Sequence, residues 1–375
     1  MKTLKCILIC CVVMGVGVSF LCFAGKDSIS TQKKHFTYVA AGGLQERTHA
    51  TIYKIDLDGK KIVDEKRIHT STFEEKGHTF DLFRISSDVD YICLALGKGK
   101  YFGSLKTEFL IFDIKTMKII KSISVDIYDP YEFVSIPSKR KLYLAGSEEN
   151  FSSEKHILCE FDEANQITDI KRFSKIYGCE GISPDEKYMY LKHANGNIDI
   201  IDTITNKCIK SGKLTKFLKL LLRVPNSEKF LLMENKFNSK EEREKFFLLE
   251  TDPGTMINKL VKSSEIDLSK SLAFSPDGRQ TYLLKYLDKK REIKIFDTLT
   301  LKTLTTIPIK GDDVIGGVWK STITQDGKYL ILLCSGTGGM SKSSGYVVIL
   351  DTESKQVTYI PIDMGPPVGV VLSEY

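Results

Sequence analysis

Few residues in this chain stand in a pattern that does chemistry, and most familiar arrangements are absent. There is no Cys-x-x-Cys-His for covalent haem, no His-Glu-x-x-His for zinc and no Gly-x-Ser-x-Gly nucleophile elbow. The glycine run Gly336–Gly339 lacks the Lys-Ser/Thr ending of a phosphate loop and stands between strand-like segments, so it reads as a hairpin tip. His69 and His78 flank one connection without further metal-ligating residues beside them, as solvent-exposed histidines do. The remaining candidates are Asp81, Glu132, Lys270 and Trp319, with Arg84 and Arg223, all far apart in sequence. Two carboxylates, an ammonium and an indole around one mouth could bind a ligand or a metal. They could equally be an ion-pair lining filled by water. Two arginines at one level could hold an anion or simply face a solvated tunnel. Everything depends on what brings these residues together.

A repeat does so. Lys270 to Ile309 reads as four short strands, Ser271–Phe274, Thr281–Leu287, Glu292–Phe296 and Thr303–Ile309. Ser275-Pro276-Asp277-Gly278 turns the chain after the first, Pro and Gly each supplying a backbone angle the turn needs. Glu292–Phe296 alternates charged and apolar residues, the period of a strand with one covered face. Asp297-Thr298-Leu299-Thr300 turns again, before a stretch rich in the β-branched residues that sheets favour. One such meander cannot bury both its faces alone. The unit recurs: an apolar strand ends at Asp56, Asp113, Asp162, Asp202, Glu250, Asp297 and Asp351, about 40 to 57 residues apart, the period of propeller blades. A first-turn marker recurs at Asp88, Lys139, Asp185, Ser227, Asp277 and Asp326. Seven units predict an all-β fold, a seven-bladed β-propeller with four-stranded blades.

Blade one lacks an inner strand, and Val368–Ser373 repeats the pattern of Leu272–Ser275 at the far end of the chain. The C-terminal strand is therefore expected to close the ring beside His35–Ala41, leaving no open seam. One propeller domain then occupies 25–375. Aligning inner strands on their last apolar residue puts Asp81, Glu132, Gly178, Leu220, Lys270, Trp319 and Val368 at equivalent positions, with Arg84 and Arg223 lower in the channel. Connections from second to third strands share a rim with those from blade to blade. That rim carries the insertions Gly97–Thr107, Gly146–Lys155, Asn235–Lys245 and Ser335–Gly345. Long loops on one face of a rigid scaffold are where binding resides; drift in loop length is the alternative. In blade five, Phe237 is an apolar anchor among charges that include Lys240 and Arg243, which nominates these three as partner contacts. No residue is nominated as catalytic or as a metal ligand.

The start of the chain has a separate character. Lys2 and Lys5 form a basic head, Cys6–Phe23 is an unbroken apolar run, and Cys22-Phe23-Ala24 offers small residues at the cleavage positions. Met1–Ala24 is expected to be a secretory signal peptide, an uncleaved anchor being the alternative. The mature chain is then secreted or periplasmic. Losing Lys2 and Lys5 takes the net charge from +6 to +4, too mild to suggest nucleic acid. Five cysteines remain, Cys93, Cys159, Cys179, Cys208 and Cys334, an odd number with none in Cys-x-x-Cys, so at least one is unpaired; buried thiols are the expectation and a disulfide framework the alternative.

The unit built from Ser275-Pro276-Asp277-Gly278 and the Asp-x-x-Thr-x-Lys of Asp202–Lys207 and Asp297–Lys302, behind a signal peptide, resembles the bacterial propellers called YVTN repeats. It is similar to the seven-bladed subunits of quinohaemoprotein amine dehydrogenase and, more distantly, to the hydrazine synthase β subunit. The similarity covers roughly His35–Tyr375 and lies in the repeat. With one tryptophan and no Trp-Asp dipeptide, the chain departs from the WD40 pattern. The resemblance implies a propeller with no cofactor of its own, serving as companion to a haem- or quinone-bearing subunit. The rival expectation is a stand-alone enzyme, a lactonase-like hydrolase with a metal or ligand at the channel mouth.

Overall fold

Each repeat folds as an antiparallel meander because its apolar stretches have strand length and its turns carry the Asp, Gly and Pro that reverse a chain. The structure is a computed structural model. It describes residues 34–374 apart from 43–48, 70–79, 85–90, 99–105, 126–129, 137, 139–140, 148–154, 162–166, 175, 184, 194–196, 214–217, 228, 236–242, 252–257, 268, 288–289, 310–314, 337–344 and 363–366. The expected signal peptide, His78, Phe237 and Lys240 lie outside the described residues. Among the described residues no helix is long and apolar enough to cross a membrane.

Seven four-stranded sheets are formed. Blade one joins β1 (His35–Gly42), β2 (His49–Asp56) and β3 (Lys61–His69) to the last strand of the chain, β28 (Pro367–Glu374). Blade two is β4 (Phe80–Arg84), β5 (Tyr91–Lys98), β6 (Lys106–Asp113) and β7 (Lys118–Val125). Blade three is β8 (Pro130–Ile136), β9 (Lys141–Ser147), β10 (Lys155–Phe161) and β11 (Ile167–Ser174). Blade four is β12 (Ile176–Ile182), β13 (Tyr188–His193), β14 (Asn197–Asp202) and β15 (Cys208–Lys213). Blade five is β16 (Leu218–Arg223), β17 (Lys229–Asn235), β18 (Arg243–Thr251) and β19 (Asn258–Asp267). Blade six is β20 (Ser269–Phe274), β21 (Gln280–Leu287), β22 (Lys290–Asp297) and β23 (Thr303–Pro308). Blade seven is β24 (Ile315–Ile323), β25 (Tyr329–Gly336), β26 (Gly345–Asp351) and β27 (Val357–Ile362). The first strands of successive blades lie beside one another, as in β28–β4, β8–β12 and β20–β24, so they line the centre. The expected closure is present: Phe36 pairs with Ser373, Tyr38 with Val371 and Val39 with Val370.

Blades cohere by burying facing surfaces. Val39, Tyr53 and Ile55 of blade one pack on Ile331, Val347 and Ile349 of blade seven. Tyr282, Ile293 and Ile295 of blade six meet Leu330, Leu332 and Val348 on the other face of blade seven. Covered on both faces, β26 is buried almost throughout, whereas the outermost strand β23 is mostly exposed. Tyrosines on second strands add polar staples between blades. Tyr38 Oη donates to the Ile114 carbonyl of blade two at 3.5 Å, and Tyr143 Oη donates to the Thr203 carbonyl of blade four at 3.3 Å. Cys334 is buried, as expected of the cysteines. Cys208 is exposed, because it opens an outermost strand that no neighbouring blade covers.

Turn chemistry explains the repeat's markers. The third-turn aspartates Asp113, Asp202 and Asp297 each accept from the backbone N–H and the hydroxyl of the threonine three residues on, at 2.7–3.0 Å. The next residue is then left-handed, with φ of 53° at Met117, 53° at Asn206 and 52° at Leu301. At the first turn Ser275 Oγ donates to Asp277 Oδ1 at 2.6 Å and accepts from the Gln280 N–H at 2.8 Å. Thr324–Tyr329 and Ser183–Tyr188 repeat the arrangement. Gly278 has φ +72° there, and a Cβ on it would lie 2.4 Å from the Pro225 carbonyl oxygen of blade five.

Candidate functional site

The backbone register decides which central residues share a level. Asp81, Glu132, Gly178 and Leu220 pair with Ala95, Ala145, Lys192 and Met233, one equivalent row of the second strands. That row continues with Ser271, Lys320 and Gly369, opposite Leu284, Leu333 and Ala40. Lys270, Trp319 and Val368 are the residues left unpaired just before it. The seven aligned positions therefore occupy two neighbouring levels. Counting back from the last apolar residue could not see this, because a bulge inserts one residue into one strand of a pair.

The bulge recurs. Tyr131, Tyr177 and Lys219 are left unpaired at the same register in β8, β12 and β16, as Lys270, Trp319 and Val368 are in β20, β24 and β28. Only β4 among the first strands pairs through this level without a break. Tyr131, Tyr177 and Lys219 escaped the reading of the sequence; matching the first-turn Ser183 with Val224, which the structure shows to be equivalent, brings Lys219 level with Lys270. Arg84 and Arg223 do share a level, pairing with Ile92 and Phe230 one place after the second strand begins. Arg243 opens β18, at the rim where 236–242 emerges.

A polar cluster that the sequence did not announce joins the first and last blades at the opposite rim. The His35 N–H donates to Asp58 Oδ2 at 3.0 Å, and its ring Nδ1 lies 3.1 Å from the same oxygen. Ring Nε2 lies 2.8 Å from Asp326 Oδ2 in blade seven. Lys328 Nζ and Tyr329 Oη each donate to Asp58 Oδ1 at 2.9 Å. Burial alone would raise the Asp58 carboxyl, but the hydrogen bonds from the His35 backbone, Lys328, Tyr329 and the His35 ring outweigh it and hold it far below the usual range. Asp326 is lowered in the same way: burial opposes, while Thr324, the Lys328 N–H and His35 prevail. His35, Lys328 and Tyr329 thus all bond to carboxylates within the seam. The cluster is therefore a clasp for ring closure.

A second cluster lies on blade four. His193 Nε2 stands 2.8 Å from Asp199 Oδ2, and Ser211 Oγ donates to Asp199 Oδ1 at 2.5 Å. The histidine contact is close but poorly directed and does not make a hydrogen bond. The carboxylate sits between hydroxyl and imidazole, so His193 cannot take the Ser211 proton as a general base must. Among the described residues no group of three His, Cys, Asp or Glu side chains is arranged to hold a metal ion.

With central strands, closure and rims placed, the chain is a β-propeller. No family model matches it, and no curated protein does. Solved structures share the fold. A putative 6-phosphogluconolactonase from Bacteroides fragilis superposes with a TM-score of 0.62 at 13% identity, covering 92% of this chain and 100% of that one. The periplasmic gluconolactonase PpgL of Pseudomonas aeruginosa gives 0.64 at 12% identity, covering 90% and 99%. The dihydro-heme d1 dehydrogenase NirN, in complex with DHE, gives 0.51 at 16% identity, covering 90% and 74%. At such identities the likeness is one of fold.

Proposed function

We infer that this chain is an exported propeller subunit that carries no cofactor of its own and docks a partner protein on one rim. The observation that carries the reading is the inequality of the two rims. Connections 43–48, 99–105, 148–154, 236–242 and 337–344, from second to third strands, run to six to eight residues, whereas 194–196 and 288–289 are short. The ten-residue connection 70–79 leaves from the same rim. On the other rim the connections stay at four to six residues, and in the described ones the polar groups are consumed in holding the turn. Chain length has been spent only where it leaves the scaffold untouched, as binding loops require. By the resemblance to the amine dehydrogenase and hydrazine synthase propellers, the partner is a haem- or quinone-bearing redox subunit, met outside the cytoplasm after the signal is removed.

Phe237, Lys240 and Arg243 are the contacts nominated within that rim. The test is co-purification from the native source. Replacing 236–242 by the short connection of blade six should leave the melting transition in place and release the partner. Retention at wild-type stoichiometry would remove this rim segment from the interface. The second reading, a lactonase-like hydrolase, draws on the names of two solved neighbours. Enzyme-like hydrolysis of gluconolactone by the isolated chain would establish it in place of the first.

A further inference from the structure

The outermost strands carry a bulge of their own. Just after the third turn one residue is left unpaired in six blades, namely Val63, Ile120, Thr168, Ile209, Val261 and Leu304. In blades one, two, four and six that residue is aliphatic and exposed, Val63 to 43%, Ile120 to 50%, Ile209 to 49% and Leu304 to 54%. A bulge guards a sheet edge by twisting it away from other chains, but that task needs no exposed aliphatic side chain. Two residues earlier, the same four blades each present an exposed lysine, Lys61, Lys118, Lys207 and Lys302. The acids of these turns are engaged by backbone, Asp56 by the Gly59 N–H and Asp113, Asp202 and Asp297 by threonine N–H groups. Ile204 and Leu299 add exposed aliphatic tips to the turns of blades four and six. Among the described residues, every large apolar side chain that stands exposed lies in these turns or on these outermost strands.

We propose that the four pairs Lys61/Val63, Lys118/Ile120, Lys207/Ile209 and Lys302/Leu304 form a belt by which the rim of tight turns lies on a bilayer carrying anionic lipids. The charge is complementary: lysines near such a surface are drawn to its headgroups. The aliphatic side chains beside them have the character that enters the boundary between headgroups and acyl chains. Blades one, two, four and six are spread around the whole ring, so the pairs do not make one compact patch. A plane that offers the same headgroup everywhere can meet all four at once, and contacts that are weak singly then hold together. A globular partner would have to match the circumference of the ring. The belt lies at the opposite end of the strands from the long connections, and neither proposal needs the other.

Co-sedimentation with vesicles tests the belt. The native protein should bind vesicles of phosphatidylglycerol and phosphatidylcholine in equal parts at least about tenfold more tightly than vesicles of phosphatidylcholine alone. K61Q/K118Q/K207Q/K302Q and V63T/I120T/I209T/L304T should each lose about tenfold or more on the anionic vesicles, with an unchanged melting transition. K61R/K118R/K207R/K302R should keep the binding. Three results overturn the proposal: no binding of the wild type to anionic vesicles, equal binding to both kinds, or wild-type affinity in the glutamine or the threonine variant. The comparison of the two vesicles stands even if a variant fails to fold. Partner capture by both variants should be unchanged, which separates failure of the belt from failure of the docking rim. Loss of the partner in them would make the belt a protein contact and would also overturn the proposal.

Discussion

The junction between blades five and six offers the sharpest test of the turn chemistry that holds the ring. Gly278 and Gly327 occupy the same place in their first turns, with φ +72° and +76°. Alanine at either pays the same left-handed penalty, roughly 1–2 kcal/mol. Their surroundings differ. A Cβ at 278 would lie 2.4 Å from the Pro225 carbonyl oxygen and 3.0 Å from Val224 Cγ1, both on blade five. At 327 the nearest atom is Pro276 Cδ, at 3.3 Å. The first clash is with backbone, so the two turns must move apart. That motion stretches the bond from Asn226 Nδ2 to the Pro276 carbonyl, now 2.8 Å, and disturbs Val224 in the core it shares with Leu283 and Phe296. Overpacking of this kind costs about 1–3 kcal/mol and a lost hydrogen bond about 1 kcal/mol. Gly278→Ala should therefore destabilise by about 3–6 kcal/mol in all, and Gly327→Ala by about 1–2 kcal/mol. By calorimetry the gap should appear as several degrees, at about 2 °C per kcal/mol for a domain of this size. Equal losses in the two variants would refute the reasoning, because the left-handed backbone alone would then explain both.

Other expectations follow from the seam and the termini. Deleting the last eight residues removes most of β28 and should abolish the cooperative melting transition; an unchanged transition would rule out β28 as the closing strand. Asp58→Ala strands the His35 N–H and the Tyr329 hydroxyl and should destabilise by about 2–3 kcal/mol in denaturant unfolding. Because Asp58 and Asp326 are lowered in the folded protein, their contribution is complete above the ordinary carboxylate value of 3.8 and is lost as pH falls below it. The stability of Asp58→Ala should accordingly fall less steeply below about pH 4 than that of the wild type; parallel profiles would count against the clasp. Mass spectrometry of the native protein should find Gly25 first, whereas an intact Met1 would show a retained anchor.

The fold was legible because a propeller writes each structural device into every blade. Asp297 and its six counterparts mark the third turn, and the described aspartates do so by capping backbone N–H groups within three residues, a local interaction that sequence shows directly. The closing strand was legible for the same reason, Val368–Ser373 being a copy of an inner strand. The clasp was not. His35, Asp58 and Asp326 lie in three separate turns, and their meeting depends on the first and last blades being neighbours in space. The levels of the channel were half legible. Lys270 and Trp319 were found together, while Tyr131 and Lys219 were missed by one residue. A bulge shifts register without changing the apolar pattern that counting relies on.

The two rims divide the work of the molecule. At one rim, first-turn and third-turn side chains are committed: Asp277 to Ser275 and the Arg279 N–H, Asp202 to Thr205, Asp58 and Asp326 to the seam. Staples such as Asn226 to Pro276 tie one blade's turn to the next. A rim locked in this way can fix the angle between blades without help from the far end of the strands. Insertions at the far end then extend no buried sheet and break no staple described here, so they can lengthen freely. The bulges of the first strands sit at this end too, where a ladder can lose a pair with the least harm to the blade. The proposed docking by the long connections has this physical basis: the scaffold is held from the opposite side.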